Sequence, residues 1–453
     1  MNIIIAGDGK VGAALTRQLA SEGYDVTVID SDSRVLDSSV ERYDVISVHG
    51  NCAAMDTLLE AGVRDADLLI AVTHADEVNL LCCTTAHALN PKLHTIARIR
   101  NPEYTDQIFK MRDVFGLSMA INPEKLAAVE MARLIKYPGF LRRDVFAKGR
   151  TEIVELKIDR QSKLCDVSLI DMSAIVKCRV LVCAVLRGGV AQVPNSGDFR
   201  LREGDRIFVT APTENLTILL KSLGIITRKA HNVILVGGGR VSYYLAELLG
   251  QEGIGVRLID RDESRCRLLA AELPRASILQ GDGSDMELLE SEGLPEADAL
   301  VTATGLDELN MIVSLYGSVK KVPQVITKLS HMENQSILNC LELGSVICPK
   351  DLCSNNIVRY VRAMQNQTGA AVSVHAIADG QVEAMEFIVD ENTKNCGVPL
   401  KHLKPKRNVL IASITRGAET LIANGDSTFQ QGDTIVVVTS GRGVIKQLGD
   451  IFA

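Results

Sequence analysis

Gly7 and Gly9 flank Asp8 directly after the apolar run NIIIA, Lys10 and Val11 follow, and Gly12 completes a G-x-G-x-x-G spacing. A strand that ends in glycines can turn tightly, bring its backbone against a pyrophosphate and aim the N-terminus of the next helix at that charge. Asp30 closes the next apolar run, DVTVID. A carboxylate about 20 residues beyond such a loop accepts hydrogen bonds from ribose hydroxyls and repels a 2′-phosphate. Together these residues can grip an adenosine moiety and its phosphates; the plain alternative is a tight βα turn with no ligand.

The set occurs twice. Gly237, Gly238, Gly239, Arg240 and Val241 follow NVILV, and Asp260 closes VRLID, each 230 residues after its counterpart (7 to 237, 30 to 260). Ser242 replaces the third glycine, which governs helix–strand packing, so a slightly looser contact is expected in the second copy. Gly62, Ala66, Asp67, Thr73, Asp76, Glu77 and Asn79 return as Gly293, Ala297, Asp298, Thr304, Asp307, Glu308 and Asn310, at an offset of 231. Agreement over that length marks an internal duplication.

The elements that must position these residues follow from the hydrophobic pattern. Residues 1–122 alternate β-branched runs (NIIIA, DVTVI, VISV, DLLIAVT, HTIARI) with helical segments, which predicts an α/β fold with a doubly wound parallel sheet. An apolar helix from Pro123 to Tyr137, ended by Pro138 and Gly139, closes the first unit, and PKDLCSNNIVRYVRAM from Pro349 holds the equivalent place in the second. Residues 151–225 change style, with TEIVELKI, RVLVCAVLR and DRIFVTA as strands, a turn at Gly204 and Asp205, and an amphipathic close. This reads as a small α+β domain, repeated at 370–453 by VSVHAI, VLIASITR and DTIVVV with a turn at Gly432 and Asp433. The chain is thus an array of glycine-loop domains at 1–137 and 231–362 and small domains at 145–228 and 369–453. Linkers are expected near 138–150, 226–231 and 362–370.

Composition narrows the class. Of 453 residues, 46% are hydrophobic and 23% charged, the balance of an ordinary globular protein, and 4% aromatics with no Trp point to an aliphatic core. A net charge of −7 lacks the basic footprint of a nucleic-acid binder. A first strand beginning at Asn2 and the lack of any apolar run near 18 residues lead to the expectation of a cytosolic protein. Eleven scattered cysteines without C-x-x-C pairs read as reduced thiols, and Cys82, Cys83 and His87 as an apolar helix face rather than a metal site. The acidic loop from Asp282 to Asp285 lacks the rest of a calcium-binding loop.

A glycine-loop domain followed by a small β-rich domain with Gly-Asp before its last strand resembles the RCK (KTN) regulators of potassium conductance. The double array is similar, over essentially the whole chain, to the TrkA-type peripheral subunits of bacterial Trk potassium uptake systems. That resemblance implies a regulator that binds NAD(H), or ATP or ADP, in its glycine-loop domains. It further implies self-association into a ring, a homotetramer, on the cytoplasmic face of the inner membrane, beneath an integral potassium-translocating subunit of the TrkH/TrkG type.

Carried over by position, the first site comprises Gly7, Asp8, Gly9, Lys10 and Val11, Asp30, Asn51, Thr73, His74 and Arg98. The second comprises Gly237 to Val241, Asp260, Asp282, Thr304, Gly305 and Lys328. Gly50-Asn51 and Gly281-Asp282 would approach the adenine. The exchanges of Arg98 for Lys328 and His74 for Gly305 imply that the two sites need not share a ligand. Surface ion pairs for Arg98 and Lys328, and strand-end packing for Thr73 and Thr304, are the plain alternatives.

The rival reading is an NAD-dependent oxidoreductase, since this fold hosts many redox enzymes. Hydride transfer needs a proton donor near the nicotinamide. Residues 151–225 contain no histidine, the later small domain has only His375 and His402, and neither stands in a recognisable constellation. No G-x-S-x-G, H-E-x-x-H or Walker spacing occurs, so no enzymatic activity and no metal are expected.

Overall fold

The computed structural model describes residues 1–137, 139–194, 196–225, 230–330, 338, 341–364, 371–440, 445 and 447–452. Pro138 and most of the expected linkers at 226–231 and 362–370 lie outside the described residues.

The first sheet holds β1 (Asn2–Ala6), β2 (Asp25–Asp30), β3 (Ile46–His49), β4 (Leu68–Ala71), β5 (His94–Arg98) and β6 (Met119–Ile121). Its order is β3-β2-β1-β4-β5-β6, parallel throughout, with a sixth strand beyond the five expected. Ile3 to Ala6 and the whole of β4 are buried, as strands covered by helices on both faces must be. Cys82 and Cys83 are fully buried in that core, while His87 on the same helix is half-buried and outside it.

A small sheet follows: β7 (Arg142–Phe146), β8 (Thr151–Lys157), β9 (Leu181–Arg187), β10 (Val190–Gln192) and β11 (Arg206–Pro212), in the order β10-β9-β11-β8-β7. The third sheet repeats the first with β12 (Asn232–Val236), β13 (Gly255–Asp260), β14 (Ala276–Gln280), β15 (Ala299–Thr302), β16 (Gln324–Lys328) and β17 (Ser345–Ile347). The fourth repeats the second with β18 (Ala371–Ile377), β19 (Val382–Ile388), β20 (Val409–Arg416), β21 (Glu419–Ile422) and β22 (Thr434–Thr439).

Two expectations change. The segment expected as a linker at 138–150 contains β7, which pairs antiparallel with β8 from Arg142 opposite Glu155 to Phe146 opposite Thr151. In the last domain, VSVHAI corresponds to β7 rather than to TEIVELKI. The counterpart of TEIVELKI is β19, VEAMEFI, whose alternating charges hide a half-buried strand. Both Gly-Asp turns occur where expected, and each has an anchor. Fully buried Asp205 accepts a fork from Arg187 at 2.8 and 2.7 Å, and Asp433 accepts one from Arg416 at 3.0 and 2.8 Å.

The four sheets follow the array, but the compact units do not. One unit comprises Met1–Glu130 with Gly239–Leu248 and Cys348–Val358; the other comprises Met131–Gly238, Leu249–Ile347 and Arg359–Ala453. Within the second unit the two small sheets share a single core in which Phe146, Ile153 and Phe208 meet Ile377, Val382 and Val436. Asp144 and His375 occupy the same position in the two copies (144 to 375) and face each other there, Nδ1 to Oδ1 3.0 Å. Burial would raise the Asp144 carboxyl, but the Arg142 guanidinium and the bonded His375 overrule it and hold it at about 2.

Candidate functional site

The first crevice is built at the carboxyl ends of β1, β2, β4 and β5. Gly7 has φ +96°, and a Cβ there would stand 2.9 Å from the backbone of Thr73, so only glycine lets this loop lie against the end of β4. Helix Lys10–Ser21 then starts at Gly9 with no side-chain cap, whereas the neighbouring helix Ser33–Arg42 is capped by Asp32. First-turn N–H groups of a helix have no intrahelical partner, so the uncapped end presents donors for an anion. Gly9 and Lys10 are exposed, and Val11 is buried beneath them.

Asp30 is half-buried and locked in place: Oδ2 accepts the Asp8 N–H at 2.6 Å and Oδ1 the Asp32 N–H at 3.0 Å. Asp8 itself is 2% exposed. Its carboxylate accepts from Ser39 Oγ at 2.5 Å and Thr16 Oγ1 at 3.3 Å, so its side chain braces the loop from beneath and only its backbone faces the crevice. Burial pushes the Asp8 carboxyl above its ordinary range.

At the end of β4, Thr73 donates both N–H (2.8 Å) and Oγ1–H (2.7 Å) to Asn79 Oδ1, while Asn79 Nδ2 donates to the Arg98 carbonyl at 2.9 Å. Arg98 is half-buried and its Nη2 donates to the Thr73 carbonyl, so the cation is internal to the crevice wall and not a surface ion pair. Burial, and then the neighbouring Arg100, draw its pKa down. His74 is exposed and its carbonyl accepts from Arg100. Asn51 spends Oδ1 on the Ala53 N–H at 3.0 Å, which shapes the turn after β3.

The second crevice repeats this geometry. Asp260 accepts from Gly238 N–H at 2.5 Å and Asp262 N–H at 2.9 Å. Thr304 donates to Asn310 at 2.9 and 2.7 Å, Asn310 donates to the Lys328 carbonyl at 3.0 Å, and Lys328 Nζ donates to the Thr304 carbonyl at 2.6 Å. Gly237 has φ +100°, and its Cβ would lie 2.8 Å from the Thr304 nitrogen. Gly239, Arg240 and Gly305 are exposed, and Val241 is buried. Asp282 turns its carboxylate onto Ser284, whose N–H and hydroxyl bonds hold it below the ordinary carboxylate range. Arg98 and Lys328, different in chemistry, thus hold the same threonine carbonyl in the two copies. Ser242 is buried and its Oγ makes no hydrogen bond to the described residues.

Asn79 and Asn310, both fully buried, are the residues that sequence reasoning passed over. Their signal was present, since both belong to the repeated set. Asn79→Ala is expected to cost about 1–3 kcal/mol, because the half-buried Thr73 N–H loses its acceptor and the buried amide its bond to the Arg98 carbonyl. Denaturant unfolding checks it, and a loss under about 0.5 kcal/mol would show that water replaces the amide.

His375 does stand in a constellation, contrary to expectation, with Asp144 on Nδ1 and Arg359 3.2 Å from Nε2. It is buried in the core of the small sheets and not at a strand end of either crevice. Among the described residues no three His, Cys, Asp or Glu side chains gather to hold a metal, and no helix is long and apolar enough to cross a membrane.

Paired glycine-loop crevices on parallel sheets, each followed by a small antiparallel domain, define a duplicated nucleotide-fold protein. The family model described as TrkA-N domain matches residues 3–123 and 233–349, and that described as TrkA-C domain matches 153–224 and 384–452. The chain belongs to the TrkA family. A Trk system potassium uptake protein TrkA homolog from Archaeoglobus fulgidus is 32% identical over 438 residues, covering 96% of this chain and 97% of that protein. The Trk system potassium uptake protein TrkA of Haemophilus influenzae is 30% identical, covering 100% and 98%. Among solved structures, the GsuK RCK domain superposes with a TM-score of 0.62 at 16% identity, covering 96% of this chain and 92% of its own. The GsuK channel bound to NAD gives 0.61 at 16%, covering 97% and 76%.

Proposed function

We propose that this chain is a regulatory subunit of a potassium uptake system that binds NAD(H), ATP or ADP in its two crevices. It converts their occupancy into the conductance of an integral membrane potassium-translocating subunit. It acts as a ring, a homotetramer, on the cytoplasmic face of the inner membrane, and it catalyses no reaction. The observation that carries this reading is the duplicated carboxylate lock: Asp30, held by two backbone N–H groups beside the uncapped helix start of the first crevice, has its counterpart in Asp260, held in the same way in the second. The names of the Archaeoglobus and Haemophilus relatives supply the potassium system, and the NAD-bound GsuK channel supplies a dinucleotide on this fold. At the strand ends of the first crevice stand His49, whose Nε2 lies 3.1 Å from the Ser31 carbonyl, and exposed His74; the second copy has Gln280 and Gly305 in their places, so neither histidine is repeated as an acid or base for hydride transfer.

A ligand shifts a conformational equilibrium only by its difference in affinity for the two states. A coupling of about 1–3 kcal/mol corresponds to roughly 5- to 150-fold in affinity. Calorimetry with NADH, NAD, ATP and ADP, with and without the membrane subunit, is expected to show affinities that differ by such a factor for at least one nucleotide. Equal affinities in both states would end the gating reading.

A further inference from the structure

The ribose ends of the two crevices carry different charge. In the first, the segment after Asp30 offers Ser31 and Val35, and its one arginine, Arg34, is spent on Asp32 through a fork at 3.1 and 2.9 Å. In the second, the equivalent positions are Arg261 and Arg265 (31 to 261, 35 to 265). Arg265 lies in the first turn of helix Glu263–Glu272, and its Nε donates to the Gly238 carbonyl at 2.7 Å. Gly238 is also the residue whose N–H donates to Asp260. One loop residue therefore holds the carboxylate on its nitrogen and the guanidinium on its oxygen, which fixes the two side by side.

The rest of the Arg265 fork is open. Its terminal amino groups make no hydrogen bond to the described residues, and Arg261 is exposed on the same rim. Beneath the loop the copies differ as well: the Asp8 and Ser39 pair of the first crevice becomes Gly238 and Leu269, so no buried carboxylate underlies the second.

We infer, resting on the nucleotide reading above, that the second crevice accepts a dinucleotide carrying a phosphate on the 2′-hydroxyl of its adenosine ribose, and that Arg265 sets this preference. Asp260 repels a 2′-phosphate as Asp30 does, but here a pre-positioned guanidinium offsets the repulsion. A charge-assisted hydrogen bond of this kind changes affinity by about tenfold or more.

The test uses the full chain. NAD and NADP are titrated calorimetrically into Asp30→Ala protein, which retains the second crevice, and into Gly237→Ala protein, which retains the first because a Cβ at 237 would stand 2.8 Å from the Thr304 nitrogen and displace the second loop. The ratio of NADP to NAD affinity is expected to be at least about tenfold higher in the former. Adding Arg265→Leu to Asp30→Ala should collapse that ratio, and Arg265→Lys should keep part of it, because the charge remains while the fork is lost. Equal ratios in the two proteins, or a ratio untouched by Arg265→Leu, overturn the inference while the nucleotide reading stands. A change in ATP against ADP preference instead would move the phosphate to the other end of the loop and overturn it too. No binding of NAD, NADP, ATP or ADP to the unaltered protein defeats the nucleotide reading and the inference together, whereas binding of ATP or ADP alone overturns only the inference.

Discussion

Asp30→Ala is expected to weaken nucleotide binding at the first crevice by about a hundredfold while leaving the second titration unchanged. Both Asp30 oxygens already order the loop by accepting the Asp8 and Asp32 N–H groups, and each keeps a lone pair for a ribose hydroxyl. Removing the carboxylate deletes the ribose contacts and releases two loop donors, and two hydrogen bonds of about 1–1.5 kcal/mol each amount to that factor. The second crevice rests on a separate core, in which Ile234, Ile259, Leu300 and Val325 are buried, so the two sites share no packed partners and should behave independently. Calorimetry resolving two classes of site is the measurement. A titration identical to that of the unaltered protein would mean that the carboxylate never touches ribose.

Arg143→Ala should destabilise the protein by about 3–5 kcal/mol, the usual cost of leaving one member of a buried ion pair uncompensated. The side chains of Arg143 and Glu152 are 4% and 3% exposed, and the guanidinium donates to both carboxylate oxygens at 2.8 Å. A further bond to the Arg133 carbonyl at 3.1 Å and stacking over Tyr137 tie the small sheet to the helix that precedes it. Replacing both partners, Arg143→Met with Glu152→Leu, should recover most of the loss, because a well-packed apolar pair needs no desolvated charge. Denaturant unfolding of the three proteins decides the point: a single variant within about 1 kcal/mol of the unaltered protein would mean that water solvates Glu152.

Much of the fold was legible in the residues because its signals are local. Glycine spacing after an apolar run, a carboxylate at the end of the next run and their return at 230 residues encode turns and strands within short windows. Those windows defined the duplicated parallel-sheet domains, both Gly-Asp turns and the positions of Asp30, Asp260, Thr73 and Thr304 at strand ends. The segment Arg142–Phe146 escaped because its charges, Arg142, Arg143 and Asp144, are buried or half-buried only once Glu152, Glu155 and His375 arrive to meet them.

The sequence by itself determined which backbone turns and which carboxylates are repeated, since steric freedom at glycine and hydrophobic period depend on neighbours in the chain. Only the tertiary structure decided that Asp8 turns inward onto Thr16 and Ser39, that Asn79 and Asn310 pin the crevice walls, and that Asp144 faces His375 across two small sheets. Such partners lie up to 231 residues apart, and whether a charge is solvated, paired or buried is fixed by what packs against it, not by its place in the chain.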